Sequence, residues 1–332
     1  MLIFVKCLHL TAEHGGIIML NEKQITYLLT VAEERNITAA ARKLYISQPA
    51  LSRMILDIEK ELGTQLFIRD RGNLHPSQAG EIYLTGCRDL LLVSRSVSKK
   101  ISDLNDSLSG QVRLGITSLT GEFLFPRILE AFEEKFPHVE LVLSEARMNV
   151  LRTMVKQGKL DMAFVYNTGE PELSYTPVLQ DPVYLQVPPR FLELHLSLKK
   201  SRAVYPDIPF EWLFDQPAIL LREGRGMREI ADHALSHFEI IPVKLIETES
   251  IHLARSLVEL NKGFTFIPGI AVTRFTADKK KDYFCRIKDY PMQRTLYCCY
   301  GKYSYLTEAE KYLMELVSGV QTNRQANHKM ST

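Results

Sequence analysis

The spacing of apolar residues changes near residue 110, and this change constrains the fold more than any other feature. Before it, apolar residues recur three and four positions apart, which predicts amphipathic helices. After it, short apolar runs alternate with helical stretches, which predicts sheets covered by helices. A chain of 332 residues has room for two or three domains. The sequence therefore predicts an α+β multi-domain protein with a helical beginning and an α/β remainder.

The composition narrows the class of protein. Hydrophobic residues make up 45% of the chain and charged residues 24%, as in globular rather than disordered proteins. No apolar run approaches the roughly 20 residues that a membrane-spanning helix needs, so no membrane partner is expected. Because the net charge is only +2, any nucleic-acid site must be a local basic patch.

The cysteines and the first eighteen residues bear on cellular location. The cysteines show no CxxC and no metal-ligand spacing, which favours inert thiols in a reducing cytoplasm and predicts neither a metal nor a cofactor; they are Cys7, Cys87, Cys285, Cys298 and Cys299. Residues 1–18 resemble a weak signal peptide, but Lys6 interrupts the apolar stretch and no cleavage site follows. Gly15-Gly16 ahead of Met19 is what a ribosome-binding site would encode if it were read in frame. We expect Met19 to be the native start and residues 1–18 to be a non-native extension.

Three helical patterns follow one another after this extension. The first begins at Asn21, where a capping box is predicted, and the second begins near Thr38. The third is predicted to be capped by Ser47, with Pro49 in its first turn, where a missing N–H costs nothing. It ends at Gly63. The apolar residues of its inner face recur at spacings of four, three and four. They are Leu51, Ile55, Ile58 and Leu62.

The outer face of the third helix carries Gln48, Ser52 and Arg53 near its N-terminal end. Two helices joined by a tight turn, the second exposing hydrogen-bonding side chains at its start, are typical of a helix-turn-helix. In such motifs the second helix enters the major groove, where arginine binds guanine and glutamine binds adenine. An amphipathic helix with an ordinary polar surface would show the same pattern, so the helix alone leaves both interpretations open.

A basic segment after this helix favours the first interpretation. Arg69 and Arg71 lie in a short hairpin-like stretch with Gly72-Asn73 as its predicted turn. A basic hairpin beside a recognition helix forms a winged helix, whose wing follows phosphates or the minor groove. The sequence therefore predicts a winged helix-turn-helix DNA-binding domain over residues 19–76.

The run AAARKLYISQPALSRMILDIEKELGTQLFIRDRGNLHPSQAG, within residues 21–80, resembles the DNA-binding domain of the LysR-type transcriptional regulators without a gap. The resemblance covers spacing, turn and wing, and departs from the family at Pro76-Ser77, where many members have Leu-Thr. It implies a sequence-specific regulator that binds double-stranded DNA and engages RNA polymerase. It also implies that the DNA contacts are Ser47, Gln48, Pro49, Ser52 and Arg53 in the recognition helix, and Arg69 and Arg71 in the wing.

A long helix is predicted from Ser77 to about Leu108, forming a linker over residues 77–109. Packing onto its own domain would explain its apolar stripe, and so would pairing with a second copy. The family resemblance favours pairing, which gives a homodimer or homotetramer on a two-fold DNA site. The stripe has nearly heptad spacing; it comprises Leu90, Val93, Val97, Ile101, Leu104 and Leu108.

Two strand–helix units are predicted between residues 110 and 322, and each calls for a doubly wound sheet. The resemblance implies that they form a periplasmic-binding-protein-like effector domain of two subdomains. Crossing strands are predicted near residues 178–187 and 269–272. The predicted boundaries are about 110–181 and 269–322 for subdomain I, about 182–268 for subdomain II, and 323–332 for a disordered tail.

Candidate ligand-binding residues follow the strands of this α/β region. Ligands of such sheets bind beyond the carboxyl ends of the strands, where helix N-termini favour anions. There are two alternatives to ligand binding: the hydroxyls only cap helices, and the arginines only form a solvated run of charges. In many family members the first loop holds the effector's acidic group, so the resemblance favours a small anionic effector between the subdomains. The candidates are Thr117, Ser118, Arg147, Asn149, Arg222, Arg225, Thr248 and Ser250.

One departure concerns the helix that begins near Met148-Asn149, where many members have a hydroxyl residue; here Asn149 is expected to provide the cap. Effector identity cannot be transferred through that region. For the α/β region, the main alternatives are an enzyme and a solute-binding protein. The chain contains no GxGxxG after a strand, no Walker motif, no GxSxG and no HExxH, so no enzymatic activity is expected. A ligand-controlled DNA-binding regulator accounts for every part of the chain; the alternative is a solute-binding or enzymatic α/β domain with an accessory DNA-binding module.

Overall fold

The computed structural model describes residues 21–70, 73–104, 109–195, 205–222, 226–275 and 284–329. The predicted non-native extension lies outside these residues. The chain divides into two compact units, one formed mainly by residues up to 105 and the other mainly by later residues. None of the helices that the structure describes is long and apolar enough to cross a membrane.

The N-terminal unit consists of helices and one hairpin. Its elements are α1 (Glu22–Glu34), α2 (Ile37–Lys43), α3 (Gln48–Leu62), β1 (Phe67–Asp70), β2 (Asn73–Pro76) and α4 (Gln78–Leu104). The predicted capping box is confirmed, because Asn21 Oδ1 accepts the Gln24 N–H at 2.9 Å and Gln24 Oε1 accepts the Asn21 N–H at 3.0 Å. Helix α2 begins ahead of the predicted Thr38, because the Asn36 side chain accepts the N–H groups of Thr38 and Ala39.

The helices of this unit share one apolar core. The inner face of α3 is buried at Leu51, Ile55 and Ile58, as its spacing predicts. Gly63 ends the helix with a left-handed φ of 68°. At the start of α4, a Cβ added to Gly80 would lie 2.0 Å from the Leu66 carbonyl oxygen, so the backbones there are too close for any side chain.

The hairpin differs from its prediction by one residue. Strands β1 and β2 pair antiparallel with Asp70 opposite Asn73. The predicted turn at Gly72-Asn73 is therefore wrong at Asn73, which already belongs to strand β2. Residues 71–72, including the predicted DNA contact Arg71, lie outside the described residues.

The C-terminal unit alternates strands and helices, as predicted. Its elements are β3 (Ser109–Ile116), α5 (Ser118–Phe123), a 3-10 turn (Phe125–Arg127), α6 (Leu129–Lys135), β4 (His138–Glu145), α7 (Met148–Lys156), β5 (Met162–Val165), β6 (Leu173–Gln186), α8 (Pro189–Leu194), β7 (Asp207–Ile208), a 3-10 turn (Phe210–Leu213), β8 (Ala218–Leu221), α9 (Gly226–His237), β9 (Leu245–Thr248), α10 (Ile251–Glu259), β10 (Thr265–Pro268), α11 (Gly269–Phe275), β11 (Phe284–Ile287), β12 (Gln293–Gly301) and α12 (Glu308–Lys329).

The strands form one large mixed sheet and one small sheet. The large sheet has the order β4-β3-β5-β12-β6-β11-β7, with β10 also bonded to β6, while β8 and β9 form a separate pair. Strand β3 runs parallel to β4 and β5, and β8 runs parallel to β9. Two apolar cores form on these sheets, one around Leu114, Phe164 and Leu296 and the other around Leu185 and Phe266. The two predicted subdomains are therefore present, joined by β6.

The predicted return strand near residues 269–272 is wrong, because this segment begins helix α11. The carboxylate of Asp181 on β6 accepts the Ile270 N–H at 2.8 Å, which satisfies a donor at the start of that helix. The boundary is also wrong for part of 269–322. Strand β11 pairs with the end of β6, and Cys285 and Ile287 pack in the core of subdomain II.

The last helix runs further than predicted. A capping box begins it, with hydrogen bonds of 2.8 and 3.2 Å between Thr307 and Glu310. The backbone is helical as far as Lys329, so the prediction of a disordered tail is wrong for residues 323–329. This stretch has no glycine or proline and several good helix formers, so an established helix can propagate through it.

Candidate DNA-binding and ligand-binding sites

The start of α3 brings the predicted recognition residues together on one side of the helix. Gln48, Pro49 and Arg53 are exposed and Ser52 is half-buried. Gln48 Nε2 donates to Ser52 Oγ at 2.7 Å, one turn along the helix. This hydrogen bond orients the glutamine amide, while the guanidinium of Arg53 projects from the same part of the helix into solvent.

Ser47 occupies the N-cap position of α3 with an extended backbone, but its side chain makes no capping hydrogen bond. The predicted position of Ser47 at the N-cap is therefore correct, but the predicted hydrogen bond from its hydroxyl is absent. An N-cap hydroxyl bonds to the second or third N–H of a helix. Pro49 is the second residue of α3 and has no N–H, and Ser47 makes no bond to the third N–H either. Ser47 is exposed instead.

The remaining predicted DNA contacts lie in the wing. Arg69 is exposed on β1, where it pairs with Leu74 of β2. Arg71 lies outside the described residues. The N-terminal unit thus presents Arg69 and Arg53 to solvent on two elements that share one core.

Helix α4 carries an exposed apolar stripe. Leu90, Val97 and Ile101 expose 53%, 53% and 54% of their surface. These three belong to the nearly heptad pattern, so consecutive turns present large apolar side chains along one line. Exposed apolar stripes of this kind mark surfaces that pair with a partner.

The first ligand-binding candidates stand at the carboxyl edge of the parallel strands β4, β3 and β5. Thr117 follows β3 and is the N-cap of α5, and its hydroxyl lies 2.9 Å from that of buried Thr120. The Ser118 hydroxyl donates to the carboxylate of Glu145 at the end of β4. Tyr166, which sequence reasoning missed, follows β5 at the same edge. Hydroxyl groups from adjacent loops therefore line this edge.

The facing edge belongs to β8 and β9 of subdomain II. Thr248 ends β9 and is buried, and its Oγ1 accepts the Ser250 N–H at 3.1 Å. Ser250 is the N-cap of α10 and accepts the Leu253 N–H at 3.3 Å. Ser250 thus has the helix-capping role that was the alternative to ligand binding, and Thr248 binds the N–H of that cap residue. Their position at the strand ends also suits ligand binding.

Three charged residues meet across the two subdomains. Arg147, after β4, and Arg222, after β8, lie 3.7 and 3.8 Å from the same carboxylate oxygen of Glu249. All three side chains are substantially exposed, at 68%, 65% and 49%. A second contact joins the subdomains, because His252 Nε2 lies 2.9 Å from Glu122 Oε2. Arg225 lies outside the described residues.

Asn149 does not cap its helix. Helix α7 begins at Met148, and the carbonyl of Arg147 accepts the Leu151 N–H at 3.0 Å, so Asn149 already lies within the first turn. Its side chain is exposed. The prediction of an asparagine cap is wrong because the chain enters the helix earlier than Asn149 would require.

Sequence reasoning missed a buried polar cluster beside the hydroxyl loop. Asp181 and Arg294 form an ion pair at 2.8 Å with side chains 0% and 8% exposed, and the guanidinium lies 3.6 Å from the centre of the Tyr166 ring. Burial raises the pKa of the Tyr166 phenol, and the charge of Arg294 opposes that rise. Asp181, a charge inside the apolar run VLQDPVYLQV, was a signal that could have pointed to this cluster.

The cysteines of the described residues are buried. Burial raises the pKa of Cys87 and Cys299 to about 11, that of Cys285 to about 12, and that of Cys298 well above its usual range. Such thiols carry little thiolate at neutral pH. The burial of these four cysteines agrees with the expectation of inert thiols.

Comparisons with known proteins identify both units. The family described as "Bacterial regulatory helix-turn-helix protein, lysR family" matches residues 23–81, and "LysR substrate binding domain" matches residues 105–321. The uncharacterized HTH-type transcriptional regulator YcgK of Bacillus subtilis is 30% identical over 304 residues, which cover 89% of this chain and 93% of that protein. The DNA-binding transcriptional dual regulator OxyR of Escherichia coli is 26% identical over 302 residues, covering 90% and 95%.

Solved structures share the fold. A full-length cysteine-to-aspartate variant of OxyR from Pseudomonas aeruginosa has a TM-score of 0.66 at 20% identity, covering 91% of this chain and 94% of that one. Full-length CbnR in complex with its target DNA has a TM-score of 0.55 at 18% identity, covering 90% and 99%. Together with the two family matches, these likenesses show that the chain belongs to the LysR family, DNA-binding transcriptional regulators with an effector-binding domain, which are not enzymes.

Proposed function

We propose that this regulator reads its operator through the start of α3 and the wing, acts as a dimer or tetramer paired through α4, and responds to a small anion bound between subdomains I and II. The regulator acts in the cytoplasm. Binding of the anion changes the spacing of DNA-bound dimers and the way in which they engage RNA polymerase. The observation that carries the ligand part is the convergence of Arg147 and Arg222, from different subdomains, on the carboxylate of Glu249.

The DNA-reading proposal is supported by exposure and chemistry at the start of α3. Gln48 and Ser52 are linked by a hydrogen bond and Arg53 is exposed beside them. Arginine and glutamine make bidentate contacts with guanine and adenine, each worth about 1–3 kcal/mol of discrimination. Ser47, Pro49, Arg69 and Arg71 complete the proposed contact set, with the wing directed to phosphates or the minor groove.

Selection of DNA from a random duplex pool tests this part. The full chain should enrich an interrupted palindrome, because a two-fold dimer presents two recognition helices. Enrichment of a single asymmetric half-site would contradict pairing, and no enrichment at all would contradict base reading. Light scattering on wild type and on Val97→Asp provides the matched assay of pairing, since a charge in the exposed stripe of α4 should leave only monomer.

The ligand proposal is supported by the charge arrangement between the subdomains. The carboxylate of Glu249 already holds the place between Arg147 and Arg222 that the anion of a ligand would take. Exposed ion pairs of this kind are weak, about 0–1 kcal/mol, so an external carboxylate or phosphate can replace this one at little cost. The hydroxyls of Thr117, Ser118, Thr248 and Ser250 and the N-terminus of α10 supply further donors, with Asn149 and Arg225 as outer candidates.

Calorimetric titration tests the ligand class. Carboxylates or phosphates should bind the full chain, and both Arg147→Met and Arg222→Met should weaken binding of the same compound. Tight binding of neutral or cationic compounds alone would contradict an anionic effector. Because a ligand shifts an equilibrium only through unequal affinity for its two states, the bound anion must also change the operator footprint.

Peroxide sensing is a second candidate, since several relatives are named as hydrogen peroxide-inducible genes activators. Sensing by cysteine oxidation requires an accessible thiolate. The four described cysteines are buried and their pKa values are raised by burial. Their environment favours the anion-responsive alternative, and a DNA footprint altered by hydrogen peroxide would reverse that preference.

A further inference from the structure

A buried acidic side chain lies where the two subdomains join. Asp181 is fully buried on β6, and groups from distant parts of the chain bind its carboxylate. Oδ1 accepts the Ile270 N–H at 2.8 Å, and Oδ2 accepts Nε and Nη2 of Arg294 at 2.9 and 2.8 Å. The hydroxyl of Tyr166 lies 3.4 Å from the same Oδ2. With these partners, the carboxylate is held in one orientation between three elements.

The same cluster reaches the hydroxyl loop. Tyr166 follows β5, at the sheet edge where Thr117 follows β3. The hydroxyl of Thr120 lies 2.9 Å from the hydroxyl of Thr117, and it is near enough to the phenol of Tyr166 to lower the pKa of that phenol. A series of neighbouring polar groups therefore runs from Thr117 through Thr120 and Tyr166 to Asp181.

At its other end the series meets the segment where the chain returns from subdomain II. A Cβ added to Gly269 would lie 3.0 Å from Asp181 Oδ1 and 2.9 Å from Pro182 Cγ. The first turn of α11 can therefore approach the carboxylate only because a glycine starts the helix. Beyond Pro182, the strand β6 enters subdomain II and pairs with β10 and β11.

We propose that Tyr166 and Asp181 are positioning residues that transmit the state of the hydroxyl loop to the junction between the subdomains. This relay rests on the proposed function, since Thr117 belongs to the ligand-binding loop. A ligand that takes the Thr117 hydroxyl competes with Thr120 for it. The Thr120 hydroxyl then turns relative to the Tyr166 phenol, and a turn of the phenol changes how Asp181 is shared between Arg294 and Ile270.

A purely structural role for the cluster predicts something different. A buried ion pair that only holds the fold together would not respond to a change at Thr117, because Thr117 touches neither Arg294 nor Asp181 among the contacts that the structure describes. Coupling between groups that do not touch requires the intervening side chains. Tyr166→Phe removes the intervening hydroxyl and keeps the ring beneath Arg294.

The test uses resonances at the far end of the series. In the full chain labelled with nitrogen-15, the Arg294 Nε–H signal is identified by its loss in Arg294→Lys, and the Ile270 amide is identified by isoleucine-selective labelling with Ile270→Val. Thr117→Val should shift both signals by more than a linewidth. Thr117→Ser, which keeps the hydroxyl, should leave both signals near their wild-type positions.

Two further variants complete the design. Ser250→Ala removes the equivalent N-cap hydroxyl of α10 in the facing subdomain and should leave both signals unchanged. In a Tyr166→Phe background, Thr117→Val should shift neither signal further. Signals unmoved by Thr117→Val, or moved equally with and without the Tyr166 hydroxyl, would overturn the relay. Neither result depends on a bound ligand, whereas the titration with anions tests the proposed effector independently.

Discussion

The two candidate sites engage their polar side chains in different ways. At the start of α3, Gln48 and Arg53 are exposed and Ser52 is half-buried, and Gln48 donates a hydrogen bond to Ser52. At the ligand-binding edge the hydroxyls of Thr117 and Ser118 bond to neighbouring side chains, and Arg147 shares Glu249 with Arg222. The proposed DNA surface needs no exchange of internal partners to dock, whereas the proposed ligand would replace internal partners, and such an exchange would couple ligand binding to a change within the protein.

The largest expected effect comes from breaking the buried cluster. Asp181→Asn leaves the guanidinium of Arg294 buried without its counter-charge, so it should lower the free energy of unfolding of the C-terminal unit by about 3–5 kcal/mol. Urea unfolding followed by the fluorescence of Trp212, the single tryptophan, measures this change. Asp289→Asn at an exposed position is the matched control and should shift stability by less than about 0.5 kcal/mol. Equal stability of the two variants would show that the cluster contributes nothing to holding the edge in place.

The cysteines provide the next largest effect. A pKa of about 11 for Cys87 and Cys299, two units above the usual value of 9.0, lowers the thiolate fraction about 100-fold at pH 8. Alkylation of the native chain at pH 8 should therefore be at least about 100-fold slower than alkylation in urea, and burial slows it further. Raising the pH through 9 toward 11 ionises the thiols in the unfolded chain first, so their contribution to stability declines in that window. Fast labelling of the native protein would favour redox sensing instead.

The recognition helix gives an effect of intermediate size. Arg53→Ala should weaken binding to a selected operator by about 1–3 kcal/mol and relax the preference at one base pair. Lys60→Ala, an exposed cation near the end of the same helix, is the control and should change affinity little. Fluorescence anisotropy at fixed salt concentration separates the outcomes. An equal loss on all DNA sequences would mark Arg53 as a phosphate contact rather than a base contact.

The smallest expected effect is on stability at the ligand-binding edge. Glu249→Gln removes an exposed carboxylate shared by Arg147 and Arg222, so the free energy of unfolding should change by no more than about 0.5–1 kcal/mol. Operator binding without ligand should stay near that of wild type. Thermal unfolding and anisotropy measure both quantities. A large loss of stability would mean that Glu249 holds the subdomains together and is not exchanged for a ligand.

Elements that depend on neighbouring residues were predictable from the sequence. The capping boxes at Asn21 and Thr307, the buried face of α3 and the existence of the strands β3, β4 and β5 all follow from local pattern. Each is determined by side chains within a few positions of one another. The basic hairpin added the assignment of the winged helix-turn-helix, which a single amphipathic helix leaves open.

Features that depend on distant partners were not predictable in this way. The segment Gly269–Val272 resembles a strand by its apolar residues, and a carboxylate 89 positions earlier in the chain favours a helix there instead. Tyr166 and Arg294 were missed because their common partner Asp181 lies 15 and 113 positions away. Ser47 was given a capping hydrogen bond that the structure does not contain. The errors at Gly269–Val272, Tyr166 and Arg294 arise where tertiary contacts override local preference.

The proposed replacement of Glu249 by an external anion between the two arginines can be tested directly. The melting temperature of the full chain is measured against a panel of carboxylates and phosphates, in parallel on wild type and Glu249→Gln, because a ligand that binds the native state raises the midpoint. At least one anion should raise the melting temperature, and the rise should be larger in Glu249→Gln, where the internal competitor is gone. An anion whose effect is equal or smaller in Glu249→Gln, or a panel in which only neutral or cationic compounds raise the melting temperature, would contradict it.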